Sequence, residues 1–88
     1  MFDRKLPLWY QLAETLRSEI LGGQPAAGGR IPPEVELARR YGVSVVTVRQ
    51  ALRVLAEEQL ISRRRGRGTF VTPQPHRRRE LRLMGSVE

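Results

Sequence analysis

The feature that most constrains the fold is a pair of helical patterns joined by a short turn at Gly42. The first pattern begins at Pro33, and Glu34 and Glu36 lie in its first turn, where the helix dipole favours anions. Gly42 suits the end of that helix, and Ser44 has the position of an N-cap for a second, longer helix. The apolar residues of this second helix recur on one side: Val48, Ala51, Leu52 and Leu55. A helix of about eight residues, a turn and a longer capped helix form the helix-turn-helix pattern.

An amphipathic helix is predicted before this motif, from about Pro7 to Leu21. Proline suits a first helical turn, and two glycines at positions 22 and 23 end the pattern. The apolar residues of this helix are Leu8, Trp9, Leu12, Ala13, Leu16 and Ile20. We expect Trp9, Leu12 and Leu16 to lie in the core.

Two short β-like runs follow the motif, over residues 60–63 and 69–72. Between them lies a basic tip whose glycines permit positive φ in a hairpin turn. An isolated hairpin is marginal in water, so we expect Ile61, Phe70 and Val71 to pack partly on the helices. One further short extended segment is predicted over residues 30–32.

Together these patterns predict one domain over residues 1–72 that is mainly α with a small β-hairpin. Its architecture is a winged helix-turn-helix, with three helices plus a two-stranded wing. Residues 73–88 are polar and basic, and we interpret them as a linker.

The residue types that are missing exclude several classes of function. The chain has no cysteine and a single histidine, His76, which excludes disulfides, thiolate or paired-histidine metal sites, and Ser-His or Cys-His catalysis. Its carboxylates form no recognisable catalytic motif, so we expect neither an enzyme nor a bound metal or cofactor. No stretch approaches the roughly 20 apolar residues that span a bilayer, and the first residues do not resemble a signal peptide. We therefore expect a soluble, cytoplasmic protein.

The positive charge is concentrated towards the end of the chain. Residues 60–88 carry eight of the 16 basic groups but only two of the nine acidic ones, and the net charge of the whole chain is +7. All the basic groups except Lys5 are arginines, which bind phosphates through paired hydrogen bonds. A charge run is often only a solvated surface. Its position at a glycine-containing hairpin tip favours a polyanionic partner instead.

Four sequence blocks resemble the GntR family, and within it the HutC-like branch. In order they are residues 7–12 (PLWYQL), residues 30–32 (RIP) with Glu34 and residues 36–38 (ELA), residues 41–44 (YGVS) with residues 47–52 (TVRQAL), and residues 65–71 (RGRGTFV). The resemblance implies the DNA-binding domain of a bacterial transcription regulator. Such a regulator is commonly a repressor that a small-molecule effector releases from DNA. The resemblance also implies that residues 73–88 lead into a larger effector-binding and dimerisation domain, so that a homodimer of the whole protein would bind a palindromic operator.

The candidate DNA-binding residues follow from the docking of a helix in the major groove, where its N-terminal residues reach base edges. The wing arginines can approach the minor groove, and the wing glycines let the backbone come close. The resemblance assigns Thr47 and Arg49 to DNA contact, Gly66 to the minor groove and Tyr10 to a phosphate. The complete set is Tyr10, Val35, Ser44, Val45, Val46, Thr47, Arg49, Arg65, Gly66, Arg67 and Gly68.

Three valines depart from the family pattern. The family commonly has arginine at the position of Val45, often a polar residue at Val46, and often arginine at Val35. Arginine contacts with guanine contribute about 1–3 kcal/mol of discrimination. We therefore expect a different operator from that of a family member with Ser-Arg at residues 44–45, with Val45 offering an apolar contact to a thymine methyl.

Several alternatives remain open at this stage. Arg49 can simply pair with Glu57, Glu58 or an acid of the second helix, and Val45 and Val46 can be partly buried against that helix. Thr47 can be an ordinary helical residue, and the wing arginines can be solvated. At the level of function, the alternatives are a sequence-neutral architectural or RNA-binding basic module and a protein-interaction winged helix.

Overall fold

The computed structural model describes residues 5–73, which form three helices and a three-stranded sheet. The elements are α1 (Leu8–Leu21), β1 (Arg30–Ile31), α2 (Glu34–Tyr41), α3 (Val45–Glu57), β2 (Ile61–Arg64) and β3 (Gly68–Val71). The predicted three helices plus hairpin are confirmed. Nearly all of the predicted linker, including His76, lies outside the described residues.

The turn between the two helices of the motif lies where the sequence predicts it. Gly42 adopts the left-handed conformation, with φ of 68°, and its backbone N–H donates to the carbonyl of Ala38. The Ser44 hydroxyl accepts a hydrogen bond from the Thr47 backbone N–H at 3.1 Å, which makes it the N-cap of α3. Only residues 42–44 therefore separate α2 from α3, and this short turn fixes the direction of α3 relative to α2.

The hydrophobic core is organised around α3. Val48 and Leu55 are completely inaccessible to solvent, and α3 packs against both α1 and α2. Burial of an aliphatic side chain of this size stabilises a fold by about 1.5–3 kcal/mol. The buried residues of the core are Leu12, Ala13, Leu16, Ile20, Ile31, Leu37, Val48, Ala51, Leu52, Leu55, Leu60, Ile61 and Val71. Because α1, α2 and β2 all pack against it, α3 is the best-anchored helix of the domain.

The sheet has one more strand than the hairpin alone. The strand order is β1-β3-β2, and both pairings are antiparallel. The extended segment predicted over residues 30–32 forms β1, which pairs Arg30 with Phe70 and Ile31 with Thr69. The wing hairpin therefore has a partner along its β3 edge, which stabilises a ladder that would be marginal as two strands.

Two core predictions are wrong. Trp9 is only half-buried, because it lies in the first turn of α1 beside the exposed Leu8 and Tyr10. Phe70 is also half-buried: Val71 faces the core opposite Ile61, and side chains alternate along a strand, so Phe70 points to the other face. Of the three residues expected to pack partly on the helices, Ile61 and Val71 therefore belong to the core and Phe70 does not.

Candidate nucleic-acid interface

The outward face of α3 carries a continuous exposed stripe. Val46, Arg49, Gln50 and Arg53 are all exposed, and they follow the helical spacing of three, four and seven residues from Val46. The opposite face is the buried one, centred on Val48 and Leu52. Because the core holds α3 from behind, this stripe is presented to solvent on a rigid support.

The start of α3 is fixed by hydroxyl groups. The Ser44 hydroxyl donates to the Thr47 hydroxyl at 3.0 Å, in addition to accepting from the Thr47 backbone N–H. Val45 is half-buried, as the alternative of partial burial anticipated, whereas Val46 is 60% exposed. Val35, in the first turn of α2, is 58% exposed. The structure thus separates the two adjacent valines of α3 into a half-buried and an exposed one.

Glu34 joins three elements of this surface. One of its carboxylate oxygens accepts from Nε and Nη2 of Arg49 on α3, at 3.3 and 3.1 Å. The other accepts from Nη2 of Arg63 on β2 at 3.4 Å. The alternative that Arg49 pairs with a second-helix acid therefore describes this structure, which contains no DNA. The Arg49 side chain nevertheless keeps 52% of its surface exposed, so it remains accessible to a ligand.

A basic cleft lies between α3 and the wing. It is lined by Arg49, Arg53, Ala56, Glu57 and Arg63. Three guanidinium groups around one shallow cleft suit the phosphate oxygens of a nucleic-acid backbone, which accept paired hydrogen bonds from arginine. A second, more open depression on the wing is lined by Ser62, Arg63, Arg64, Arg65 and Arg67.

The wing tip is a three-residue connection, residues 65–67, closed by a 2.9 Å hydrogen bond from the Arg67 N–H to the Arg64 carbonyl. Gly66 has a φ of 76° with open space around it. Gly68 has a φ of 117°, and the Arg30 guanidinium lies directly against it. Arg65 and Arg67 are exposed, and within residues 5–73 neither forms an ion pair.

Among the predicted site residues, Tyr10 is the one that lies in α1. Its ring packs edge-on against Trp9, with 6.0 Å between the ring centres, and its hydroxyl interacts with Glu14. That hydrogen bond to Glu14 is the main reason that the pKa of Tyr10 is raised above its ordinary value. The contacts described for this side chain lie within α1, whereas the other predicted residues belong to the start of α2, the start of α3 and the wing.

Four residues of this surface were missed from the sequence: Glu34, Gln50, Arg53 and Arg63. Helical spacing from Val46 would have found Gln50 and Arg53, because they continue its exposed stripe. Local spacing contains no signal for the bridge through Glu34, since its partners lie 15 and 29 residues further along the chain.

Over residues 5–73, the side chains form no group of three or more histidines, cysteines or carboxylates able to hold a metal ion. No helix in that part of the chain has the length and apolar character needed to cross a membrane.

Comparisons with known proteins match the whole of this surface. The family model of the gntR family of bacterial regulatory proteins matches residues 9–71. The chain is 43% identical over 67 residues to the HTH-type transcriptional repressor NagR of Bacillus subtilis, covering 76% of this chain and 28% of NagR. It is 36% identical over 88 residues to the arabinose metabolism transcriptional repressor of Geobacillus stearothermophilus, covering 24% of that protein. The chain thus spans about a quarter of the length of the curated relatives it matches.

Solved structures agree with these matches. A GntR family transcriptional regulator from Listeria monocytogenes superposes with a TM-score of 0.82 at 29% identity, covering 98% of this chain and 74% of that one. The DNA-binding domain of AraR in complex with its operator ORX1 superposes with a TM-score of 0.73 at 37% identity, covering 76% of this chain and 81% of that one. On the match of the family model and on these relatives, the chain belongs to the gntR family of bacterial regulatory proteins.

Proposed function

We propose that this chain binds double-stranded DNA sequence-specifically, as the operator-reading domain of a bacterial transcription regulator. The observation that carries the proposal is the exposed stripe of α3, which lies beside a cleft lined by three arginines and next to an arginine-rich wing. The AraR domain, which has the same fold at 37% identity, was solved with operator DNA. That likeness supports a duplex as the partner.

In this proposal α3 enters the major groove with Val46, Arg49 and Gln50 towards the base edges. The cleft between α3 and β2 receives the phosphate backbone, with Arg53 and Arg63 as the phosphate contacts that sequence reasoning had missed. Arg65 and Arg67 extend towards the neighbouring minor groove, and Gly66 allows the wing backbone to approach it. Thr47 and Ser44 act mainly by fixing the start of α3, because their hydroxyls are hydrogen-bonded to each other. Tyr10 remains a proposed phosphate contact, and Gly68 shapes the base of the wing.

The wider assignment rests on the resemblance to the family. We propose that the complete regulator is a cytoplasmic homodimer, that it reads a palindromic operator, and that a further domain after residue 72 binds a small-molecule effector. Repression is the favoured outcome because two of the relatives are named as repressors. The resemblance of the matching sequence blocks also leads us to propose the HutC-like branch of the family.

The first test is a selection of binding sites from a random duplex library with the 88-residue chain, followed by affinity measurements at a fixed salt concentration. We expect one enriched site that binds at least tenfold more tightly than a shuffled duplex. In Arg49→Ala, the difference in binding free energy between the enriched site and the shuffled duplex should shrink by about 1–3 kcal/mol, because a bidentate base contact is lost. Arg40→Ala is the matched control: it is also an exposed arginine, but it pairs with Glu36 near the end of α2.

The rival function predicts a different result. A sequence-neutral architectural or RNA-binding module would enrich no site and would bind the shuffled duplex or an RNA of equal length as well as any other ligand. Equal losses in Arg49→Ala and Arg40→Ala would likewise contradict base recognition by Arg49 and leave only general electrostatic binding.

A further inference from the structure

Val46 and Val35 are the two most exposed large hydrophobic residues among those that the structure describes. They are 60% and 58% exposed, whereas the other four reach at most 49%. Scattered single apolar residues on a surface are ordinary. These two, however, have the same position in their elements: each is the second residue of a helix of the helix-turn-helix.

The Glu34–Arg49 hydrogen bonds join the first residue of α2, next to Val35, to the exposed stripe of α3 that contains Val46. Arg49 lies one helical turn after Val46 on the exposed stripe of α3, and Glu34 immediately precedes Val35. Valine neither donates nor accepts hydrogen bonds and is not among the best helix formers, so these two exposed side chains add little to the stability of the helices. Val46 is the apolar member of an exposed stripe that also carries Arg49, Gln50 and Arg53.

The chemistry of the major groove limits what such a surface can recognise. The base edges present hydrogen-bond donors and acceptors, and the C5 methyl of thymine is their one apolar group. A valine placed against a donor or acceptor would displace water without replacing its hydrogen bond, which is unfavourable. A valine placed against a thymine methyl buries two apolar surfaces together, which is favourable.

We propose that Val46 and Val35 recognise the C5 methyl groups of thymines in the operator, with Val46 making the larger contribution because it lies on the outward stripe of α3. This inference rests on the proposed DNA-reading function. It replaces Val45 with its exposed neighbour Val46 as the methyl-contacting residue of α3, since Val45 is half-buried. Arg53 and Arg63 hold the phosphates, Arg49 contacts a base edge, and the valines select thymine at two positions.

The test removes single methyl groups from the DNA. In the duplex enriched by library selection, each thymine is replaced in turn by deoxyuridine, which differs only by the C5 methyl, and affinity is measured by fluorescence anisotropy with the 88-residue chain. Burial of one methyl group corresponds to about a fourfold change in affinity. We expect a loss of that size at one or two thymines and near-equal binding at the others.

The variants assign each loss to a side chain. In Val46→Ala the penalty for uracil should vanish at one of these thymines, and in Val35→Ala at another. Both variants should fold, because alanine is the better helix former and both sites are exposed. Leu21→Ala is the control, since it shortens an exposed aliphatic side chain at the far end of α1 and should leave every penalty unchanged.

Uracil duplexes that all bind within twofold of the thymine duplex would overturn the inference, as would penalties that persist unchanged in both valine variants. A library that yields no enriched duplex would overturn the DNA-reading function itself, and this inference with it, before any thymine is replaced. The two failures are therefore distinguishable.

Discussion

Arg49 and Arg63, beside the exposed stripe of α3, are held differently from Arg65 and Arg67 at the wing tip. Arg49 and Arg63 both donate to the single carboxylate of Glu34, so their guanidinium groups have defined positions before any ligand arrives. Arg65 and Arg67 project from the three-residue tip, where no described side chain forms an ion pair with them. One region is organised in advance, and the other is free to adjust.

This difference suits two kinds of DNA contact. Ordering a free arginine side chain costs up to about 2 kcal/mol, so an arginine positioned beforehand loses less on binding. Base recognition depends on geometry and benefits from this arrangement. Phosphate and minor-groove contacts depend mainly on charge and tolerate several side-chain conformations.

The largest effect is expected at the wing. Arg65→Ala combined with Arg67→Ala removes two counterion-releasing contacts and should weaken binding by about 60-fold at 0.1 M salt. The slope of log affinity against log salt should become shallower by about 2, while the preference for operator over shuffled duplex stays the same. Titrations of the operator and of the shuffled duplex at four salt concentrations measure the affinity, the slope and the preference. A fall in the preference itself would contradict the division between the two regions, and so would an unchanged slope.

The next effect concerns the base of the wing, where Gly68 lies against the Arg30 guanidinium. In Gly68→Ala the new Cβ would meet Arg30 Nε at 3.1 Å, and a φ of 117° is rarely adopted by residues with side chains. We expect the free energy of unfolding to fall by about 2 kcal/mol in urea denaturation. Gly66→Ala is the matched control, because its φ of 76° lies near the left-handed region and its surroundings are open. Equal losses of stability in the two variants would show that the wing is no more constrained at its base than at its tip.

The smallest effect is expected from Glu34→Gln, which removes the carboxylate charge shared by Arg49 and Arg63. Loss of one negative charge at the interface should raise affinity for a shuffled duplex by about eightfold at 0.1 M salt. Affinity for the operator should rise less, because Arg49 is no longer held in place, so the specificity ratio falls. Glu36→Gln is the control, since Glu36 lies two residues away on α2 and pairs with Arg40 instead. An unchanged specificity ratio would contradict the positioning role of Glu34, as would identical shifts in the two variants.

Much of the fold was predictable because its signals are local. The inward stripe of α3, the serine cap and the glycine turn each involve residues within four positions of one another, and the structure has all three where they were expected. The predictions for Trp9 and Phe70 failed because burial does not depend on local signals alone. Hydrophobicity indicates that a side chain prefers to be buried, but the neighbouring elements decide whether anything covers it.

The candidate site was predictable in part. The start of α3 and the wing remain the predicted contact segments, while the exposed stripe extends along α3 to Gln50 and Arg53 and β2 adds Arg63. Helical spacing separates Val45 from Val46, because Val45 lies three and seven residues before the buried Val48 and Leu52, whereas Val46 begins the exposed stripe.

The sequence by itself determined where the helices begin and end, the position of the glycine-containing wing, and the family to which these blocks belong, since each depends on neighbouring residues along the chain. Only the tertiary structure decided that β1 pairs with β3 and that Glu34 joins α3 to the wing. These features depend on contacts between residues far apart in the chain, which form only when the core brings the three helices and the sheet together.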